Sequence, residues 1–175
     1  MFPHPQPGTY NDYLINYISL VPGNNPLHTL KEQILDFKAL LSEVAFEHED
    51  YRYAEGKWSV KELVGHIIDT ERIFAYRALA FARGEKQALP GFDENAYAVE
   101  GRFAKRTLTD LAHEYGTVRE STITLFRSMD EEALHQQGTA NGKPLTALAC
   151  LWVIAGHQIH HENVLRQRYG AVLFT

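Results

Sequence analysis

Three of the chain's nine histidines, His157, His160 and His161, fall within five consecutive positions. Imidazole is the commonest protein metal ligand and the side chain that titrates near neutral pH, so the clustering asks for a chemical reason. On an α-helix with His157 at zero, His161 lies at about 40° and His160 at about −60°. His157 and His161 therefore project from one face, one turn apart, the spacing at which two imidazoles share a tetrahedral or octahedral metal ion. Both fall on the apolar stripe Ala147, Cys150, Ile154, His157, His161, Val164, which faces a helical core. A buried imidazole without a partner costs about 1–3 kcal/mol, so the pair is either a ligand pair or two satisfied core residues. His160 could replace His161, because i, i+3 pairs also meet, but it lies off the stripe centre, and the favoured reading is that it hydrogen-bonds to a ligand or faces solvent.

A third ligand is available at His66 or at His113, and periodicity does not choose between them. His66 borders the apolar stripe of its own helix, and His113 is offset from its stripe and reads as exposed. Asp69, one turn beyond His66, is placed to orient a ligating imidazole through its second nitrogen, or else forms a solvated face with Glu71 and Arg72. Cys150 lies about two turns from His157 and reads as a small core residue rather than a nucleophile. Trp58 and Trp152 read as packing residues, and His4, His28, His48 and His135 have no grouping. The chain has no Gly-rich phosphate loop, no Gly-x-Ser-x-Gly turn and no Cys-x-x-Cys pair.

The elements that must hold these residues are helices. Leu27, Leu30, Ile34, Phe37 and Leu41 step by three and four after the break at residues 21–26. Ser59-x-x-Glu62 is a capping box ahead of a second stripe, Val60, Val64, Ile67, Phe74, Ala78 and Phe81, which Gly84 closes. Leu108, Leu111, Tyr115, Val118, Thr122, Leu125 and Met129 define a third helix. Residues 145–169 form the fourth, with Arg166 and Arg168 at its end and Gly170 as a stop. Residues 85–105 and 130–144 read as connections without strands. The first is longer than the 12–15 residues usual in compact domains, which suits a functional loop and allows the flanking helices to run parallel. The expected architecture is all-α: a four-helix bundle with a long connection between the second and third long helices, in a single domain spanning residues 1–175. Within it, residues 1–25 form an extended, partly helical N-terminal segment.

A formal charge of −5 without a basic run gives no footprint for nucleic acid. One cysteine allows no internal disulfide. The first residues, Met-Phe-Pro-His-Pro-Gln-Pro-Gly, are not a signal peptide, and no apolar run approaches the roughly 20 residues of a membrane span. The cytoplasm is the expected compartment.

Two segments resemble the signatures of the DinB/YfiT-like metalloenzymes. One is Gly56-Lys57-Trp58-Ser59-Val60-Lys61-Glu62-Leu63-Val64-Gly65-His66-Ile67-Ile68-Asp69-Thr70-Glu71-Arg72, and the other is Ala155-Gly156-His157-Gln158-Ile159-His160-His161. Phe74-Ala75-Tyr76-Arg77-Ala78-Leu79 and Leu89-Pro90-Gly91-Phe92-Asp93 are similar as well, and the likeness extends from Tyr13 to Tyr169. The resemblance implies a four-helix bundle carrying a three-histidine centre on His66, His157 and His161. It also implies one divalent ion, zinc or nickel, and a homodimer. Family members include metal-dependent hydrolases and enzymes that use low-molecular-weight thiols such as bacillithiol or mycothiol.

Three neutral ligands leave a coordination position open, as catalytic sites do and structural zinc sites do not. An ion there acidifies a bound water or a bound thiol, which leads to hydrolysis or to S-transfer on a small-molecule substrate. Asp93 or Glu94 on the long connection could reach the mouth of such a site. The competing expectation is a metal-binding or sensing module without turnover, for which the exposed-looking tail residues 171–174 offer a docking strip, although ordinary dimer or core packing is the favoured reading of that tail.

Overall fold

Each long helix starts on a side chain that satisfies its free amides. The computed structural model describes residues 2–174. Asn25 caps α2 (Pro26–Ser42), with proline in its first turn. The Ser59–Glu62 capping box opens α3 (Val60–Ala82). Thr107 caps α5 (Leu108–Arg127), and Thr146 caps α7 (Ala147–Val164). Short helices lie between and around them: α1 (Ile15–Ile18), α4 (Glu94–Glu100), α6 (Glu131–His135) and α8 (Gly170–Leu173).

Named contacts fix the directions of the four long helices. Glu49 joins the starts of α3 and α5, pairing with Lys61 at 3.1 Å and accepting from the Leu108 amide at 3.2 Å. Further along, Glu71 meets Arg119. These two sequence-adjacent helices therefore run parallel, as the long connection allows. The α2 helix opposes α5, since Arg119 donates to the Leu30 carbonyl while Phe37 stacks on Tyr115. In α7, Tyr169 beyond its end reaches Trp58 before the start of α3, so α7 opposes α3.

Apolar side chains form two clusters, one around Leu30, Phe74, Phe126 and Trp152, the other around Phe37, Leu63, Leu111 and Leu165. A polar layer drawn from all four helices separates them. Arg119, fully buried, donates to both Glu71 carboxylate oxygens at 2.9–3.0 Å, to Gln33 Oε1 at 2.6 Å and to Gln158 Oε1 at 2.6 Å. The Tyr115 hydroxyl also donates to Gln158. Glu71 thus belongs to the core at 2 % exposure, not to a solvated face beside Asp69 and Arg72. Helix periodicity hides it, because an acidic side chain at a buried position looks like any polar position until its partner is seen.

Both connections read as irregular contain regular structure. Residues 85–105 include α4, started by Asp93, whose carboxylate accepts from the Asn95 and Ala96 amides. Residues 130–144 include α6 and lead into a hairpin of β1 (Gln137–Ala140) and β2 (Lys143–Thr146), paired from Gln137↔Thr146 to Ala140↔Lys143. Its two-residue loop, Asn141-Gly142, has positive φ at both positions, as a tight hairpin turn requires. Leu89 binds the hairpin edge through its amide to Thr139 O and its carbonyl to the Asn141 amide, tying the two connections into one layer.

Two further corrections concern helix ends. Met129 lies past the end of α5. Gly170 does not stop the last helix. After α7 the chain takes a π-helical turn over Leu165–Tyr169 and continues into α8, where Leu173 is buried and Phe174 packs on the same cluster. Leu173 and Phe174 are therefore part of the core, while Ala171 is exposed.

Arg119→Met removes one partner of a fully buried ion pair and should cost about 3–5 kcal/mol in urea unfolding. The Glu71→Leu/Arg119→Met double variant should recover part of that loss. A cost below about 1 kcal/mol for the single variant, the range of an exposed pair, would contradict the polar layer's role.

Candidate metal centre

His66 on α3 and His157 on α7 each follow a glycine, and the packing requires both glycines. A Cβ on Gly156 would lie 2.0 Å from the Tyr17 carbonyl oxygen, and one on Gly65 would lie 2.3 Å from the Phe103 ring. The bare backbone at Gly156 lets the N-terminal segment close over α7 at His157. Gly65 admits Phe103 against α3 at His66.

The seam between these antiparallel helices brings His66, His157 and His161 together, with candidate ligand atoms all within 4.8 Å of one another. His157 Nε2 lies 3.0 Å from His66 Nε2 and 3.0 Å from His161 Nε2. Ligands about 2.0–2.1 Å from a shared ion stand about 2.9–3.4 Å apart, so these separations suit a common ion. A neutral imidazole nitrogen has either one lone pair or one proton, so three converging on one point cannot all satisfy one another. His66 and His157 are 8 % and 5 % exposed, and His161 lies partly open to the cavity. Burial holds all three in the neutral form that a ligand needs. It lowers the His66 pKa to about 4 and that of His161 to about 2, and puts His157 well below the usual range, with neighbouring imidazoles adding repulsion.

A cavity of about 300 Å³ opens onto these nitrogens. The α3 and α7 helices form its floor. Its roof comes from outside the four long helices: Tyr13 and Tyr17 of the N-terminal segment, Phe92 and Glu94 of the long connection, and the hairpin at Asn141 and Lys143. Trp58 stacks against His66 with ring centroids 4.5 Å apart, and its carbonyl accepts from the Tyr169 hydroxyl at 2.7 Å. The π-helical turn after α7 thus carries the side chain that holds Trp58 over the site. Such turns recur at functional sites.

The other candidates are placed differently. His160 is half-buried, its ring 5.4 Å from Tyr17 and 4.9 Å from His161. Asp69 faces Arg72 at 3.9 Å and does not hydrogen-bond His66. His113 is exposed on α5 and takes no part. Asp93 is committed to capping α4, whereas Glu94 lines the cavity. Cys150 is fully buried, and burial pushes its thiol pKa up, leaving it unsuited to nucleophilic work. His4, without partners in the sequence reading, stacks on Trp152.

Residues 29–165 match the model of the DinB superfamily. The chain belongs to that superfamily. Among curated relatives, YjoA of Bacillus subtilis is 27% identical over 129 residues, covering 72% of this chain and 75% of its own. Among solved structures, YfiT from Bacillus subtilis aligns with a TM-score of 0.74 at 18% identity, covering 83% of this chain and 86% of its own. YfiT is described as a probable metal-dependent hydrolase with an unusual four-helix bundle topology. A mycothiol-dependent maleylpyruvate isomerase aligns at TM-score 0.65 and 17% identity, covering 83% of this chain and 61% of that one. At these identities the two structures show the fold. In this DinB-superfamily chain that fold is the four-helix bundle with parallel α3 and α5.

The sequence reading missed Tyr17, Thr70 and Arg77 as cavity residues and took Trp58 for packing. Thr70 and Arg77 stand four and eleven positions after His66 on one helix, a spacing that puts all three on one face. Tyr17 gave no signal, because its position depends on how the N-terminal segment crosses α7.

The metal-free protein should lose stability as pH falls. Unfolded histidine takes up a proton near pH 6.5, whereas folded His66 resists it down to about 4. The unfolded state therefore binds more protons between these values, and His66 contributes a loss of about 1.4 kcal/mol per pH unit there, with none above about pH 7. Urea midpoints of wild type and His66→Gln at pH 7.5 and 5 check this. The variant should show the shallower dependence, and equal slopes would contradict it.

Proposed function

We propose that this chain is a metal-dependent enzyme that holds one divalent ion, zinc or nickel, on His66, His157 and His161. It uses the open side of that centre to activate a low-molecular-weight thiol or a water against a small-molecule substrate. One observation carries this reading: three neutral imidazole nitrogens converge at the wall of a roofed cavity large enough for a small molecule. A three-ligand set leaves room for an exogenous group, as catalytic sites do. A bound ion would supply Lewis acidity, lowering the pKa of a thiol or water on its open side.

The chain's own residues would shape what happens there. Trp58 and Tyr17 cover the imidazoles and limit access of bulk water. Glu94, on the cavity wall, is placed to accept a proton from an incoming nucleophile. Asp69 and His160 are left as supports for the imidazoles, acting through solvent or after small side-chain rotations. A metal-binding module without turnover has less support, because a sensing site needs neither a roof built from three separate segments nor an open cavity. We include assembly as a homodimer in the proposal, with Tyr76 and Leu79, both exposed on α3, offering apolar surface. Among the described residues no helix is long and apolar enough to cross a membrane.

Cobalt substitution tests the reading and separates the two nucleophiles. Loaded protein should show visible bands of a low-coordinate site, and added 2-mercaptoethanol or cysteine should bring in a thiolate-to-cobalt charge-transfer band. A site that works on water should instead shift its visible bands with pH and hydrolyse ester or amide probes. Loaded protein whose spectrum ignores both thiol and pH would contradict an open, activating position.

A further inference from the structure

Arg77 is a buried cation with no anion beside it. It is 6 % exposed and lines the same cavity as the histidines. Its guanidinium donates to the Pro90 carbonyl at 2.9 Å and lies 5.0 Å from the Phe74 ring centroid. Among the described residues it forms no ion pair. The titratable group whose charge bears on it is the Cys150 thiol, which burial keeps protonated. A guanidinium carries five donors and remains charged, so one carbonyl and one ring face leave most of its hydrogen-bonding capacity unspent on protein groups. Removal of a charge from water without a counter-ion costs several kcal/mol, and natural chains seldom carry that cost without a use.

A second group in the cavity is also unpartnered. Thr70, 3 % exposed, presents a buried hydroxyl with no hydrogen-bond partner. Helical threonine usually returns its hydroxyl to the carbonyl one turn back, and this one does not. His66, Thr70 and Arg77 occupy one face of α3, within about 40° of each other, at about 0, 6 and 16 Å along its axis. The cavity thus runs from the imidazoles past an unused hydroxyl to a guanidinium with donors to spare.

We propose that Arg77 is the specificity residue of this cavity and binds a carboxylate on the substrate, with Thr70 hydrogen-bonding the substrate between that carboxylate and the reacting end. The planar fork of arginine matches a carboxylate in two parallel hydrogen bonds. The substrate class is accordingly an elongated small molecule with a terminal carboxylate, whose reactive atom lies at the histidine end. This deepens the enzyme reading above and rests on it for the identity of the reacting end, but the carboxylate site stands on Arg77 and Thr70 alone.

The test compares octanoate with octan-1-ol, two probes of one length that differ at the head group, titrated into the metal-free full chain by calorimetry. Octanoate should bind about tenfold or more tightly, the scale of charge-assisted hydrogen bonds in a buried site. Arg77→Met should abolish that preference while leaving octan-1-ol affinity within about twofold, which shows that the cavity is intact. Arg77→Lys, which keeps the charge and loses the fork, should retain part of the preference and serves if the methionine variant does not fold. Thr70→Val should leave that preference unchanged, because neither probe has a polar atom along its chain to meet the hydroxyl. His157→Ala, which removes the proposed metal centre, should leave the preference unchanged, so loss of the metal reading would not touch this one. Equal binding of the two probes, no binding of either, or a preference that survives Arg77→Met would overturn the proposal.

Discussion

Three imidazole nitrogens converge with two of the separations at 3.0 Å, and one lone pair or one proton on each does not satisfy all three. That constraint organises the rest of the molecule. To bring the nitrogens together, α3 and α7 must run antiparallel with His66 opposite His157. To keep them neutral, the seam must be covered, and coverage is possible only because Gly156 and Gly65 admit the Tyr17 backbone and the Phe103 ring. Two glycines therefore set how closely the cover approaches the histidines they precede. The π-helical turn after His161 adds a third fixture, since it delivers Tyr169 to the Trp58 carbonyl and so holds the indole against His66.

The bundle and the cavity divide the work between different parts of the chain. The four long helices are locked by the Arg119 layer, which ties α2, α3, α5 and α7 at one level and fixes their relative heights. Gln158, whose carbonyl oxygen completes that layer, is adjacent in sequence to His157. A shift in the layer would therefore move the histidine beside it. The roof is built from pieces outside the four long helices: the N-terminal segment, the connection at Leu89–Glu94 and the hairpin. Backbone hydrogen bonds between Leu89 and the hairpin make two of these pieces one unit. Access to the histidines is in this way set by segments that also pack on the helical core, through Ile18, Val21, Ala140 and Leu145.

The legible features were those with a local physical signature. Four helices could be read from apolar periodicity and caps, and the His157–His161 pair from a single turn of spacing. The third histidine could not, because His66 and His113 look alike until α3 is seen to face α7, and the choice came through the family signature. Glu71 and Arg119 were illegible for the same reason: each is an ordinary polar residue on its own helix, and only the pairing across helices buries them. The hairpin was legible in principle, since Asn141-Gly142 is a strong turn signal, but its four-residue strands carry Gly138 and Pro144 and show little alternation. Gly170 reads as a stop on residue type alone. The helix continues because Leu173 and Phe174 find apolar cover in the core beyond it.

The central claim is that the three imidazoles exist to hold one divalent ion. Elemental analysis of untagged protein, wild type beside His157→Ala, addresses it most directly. The account predicts close to one equivalent of a divalent metal per chain in the wild type, and a large loss in the variant at unchanged helical content. Wild-type protein that stays metal-free after incubation with zinc, nickel and manganese would contradict it and would leave the three histidines as core residues.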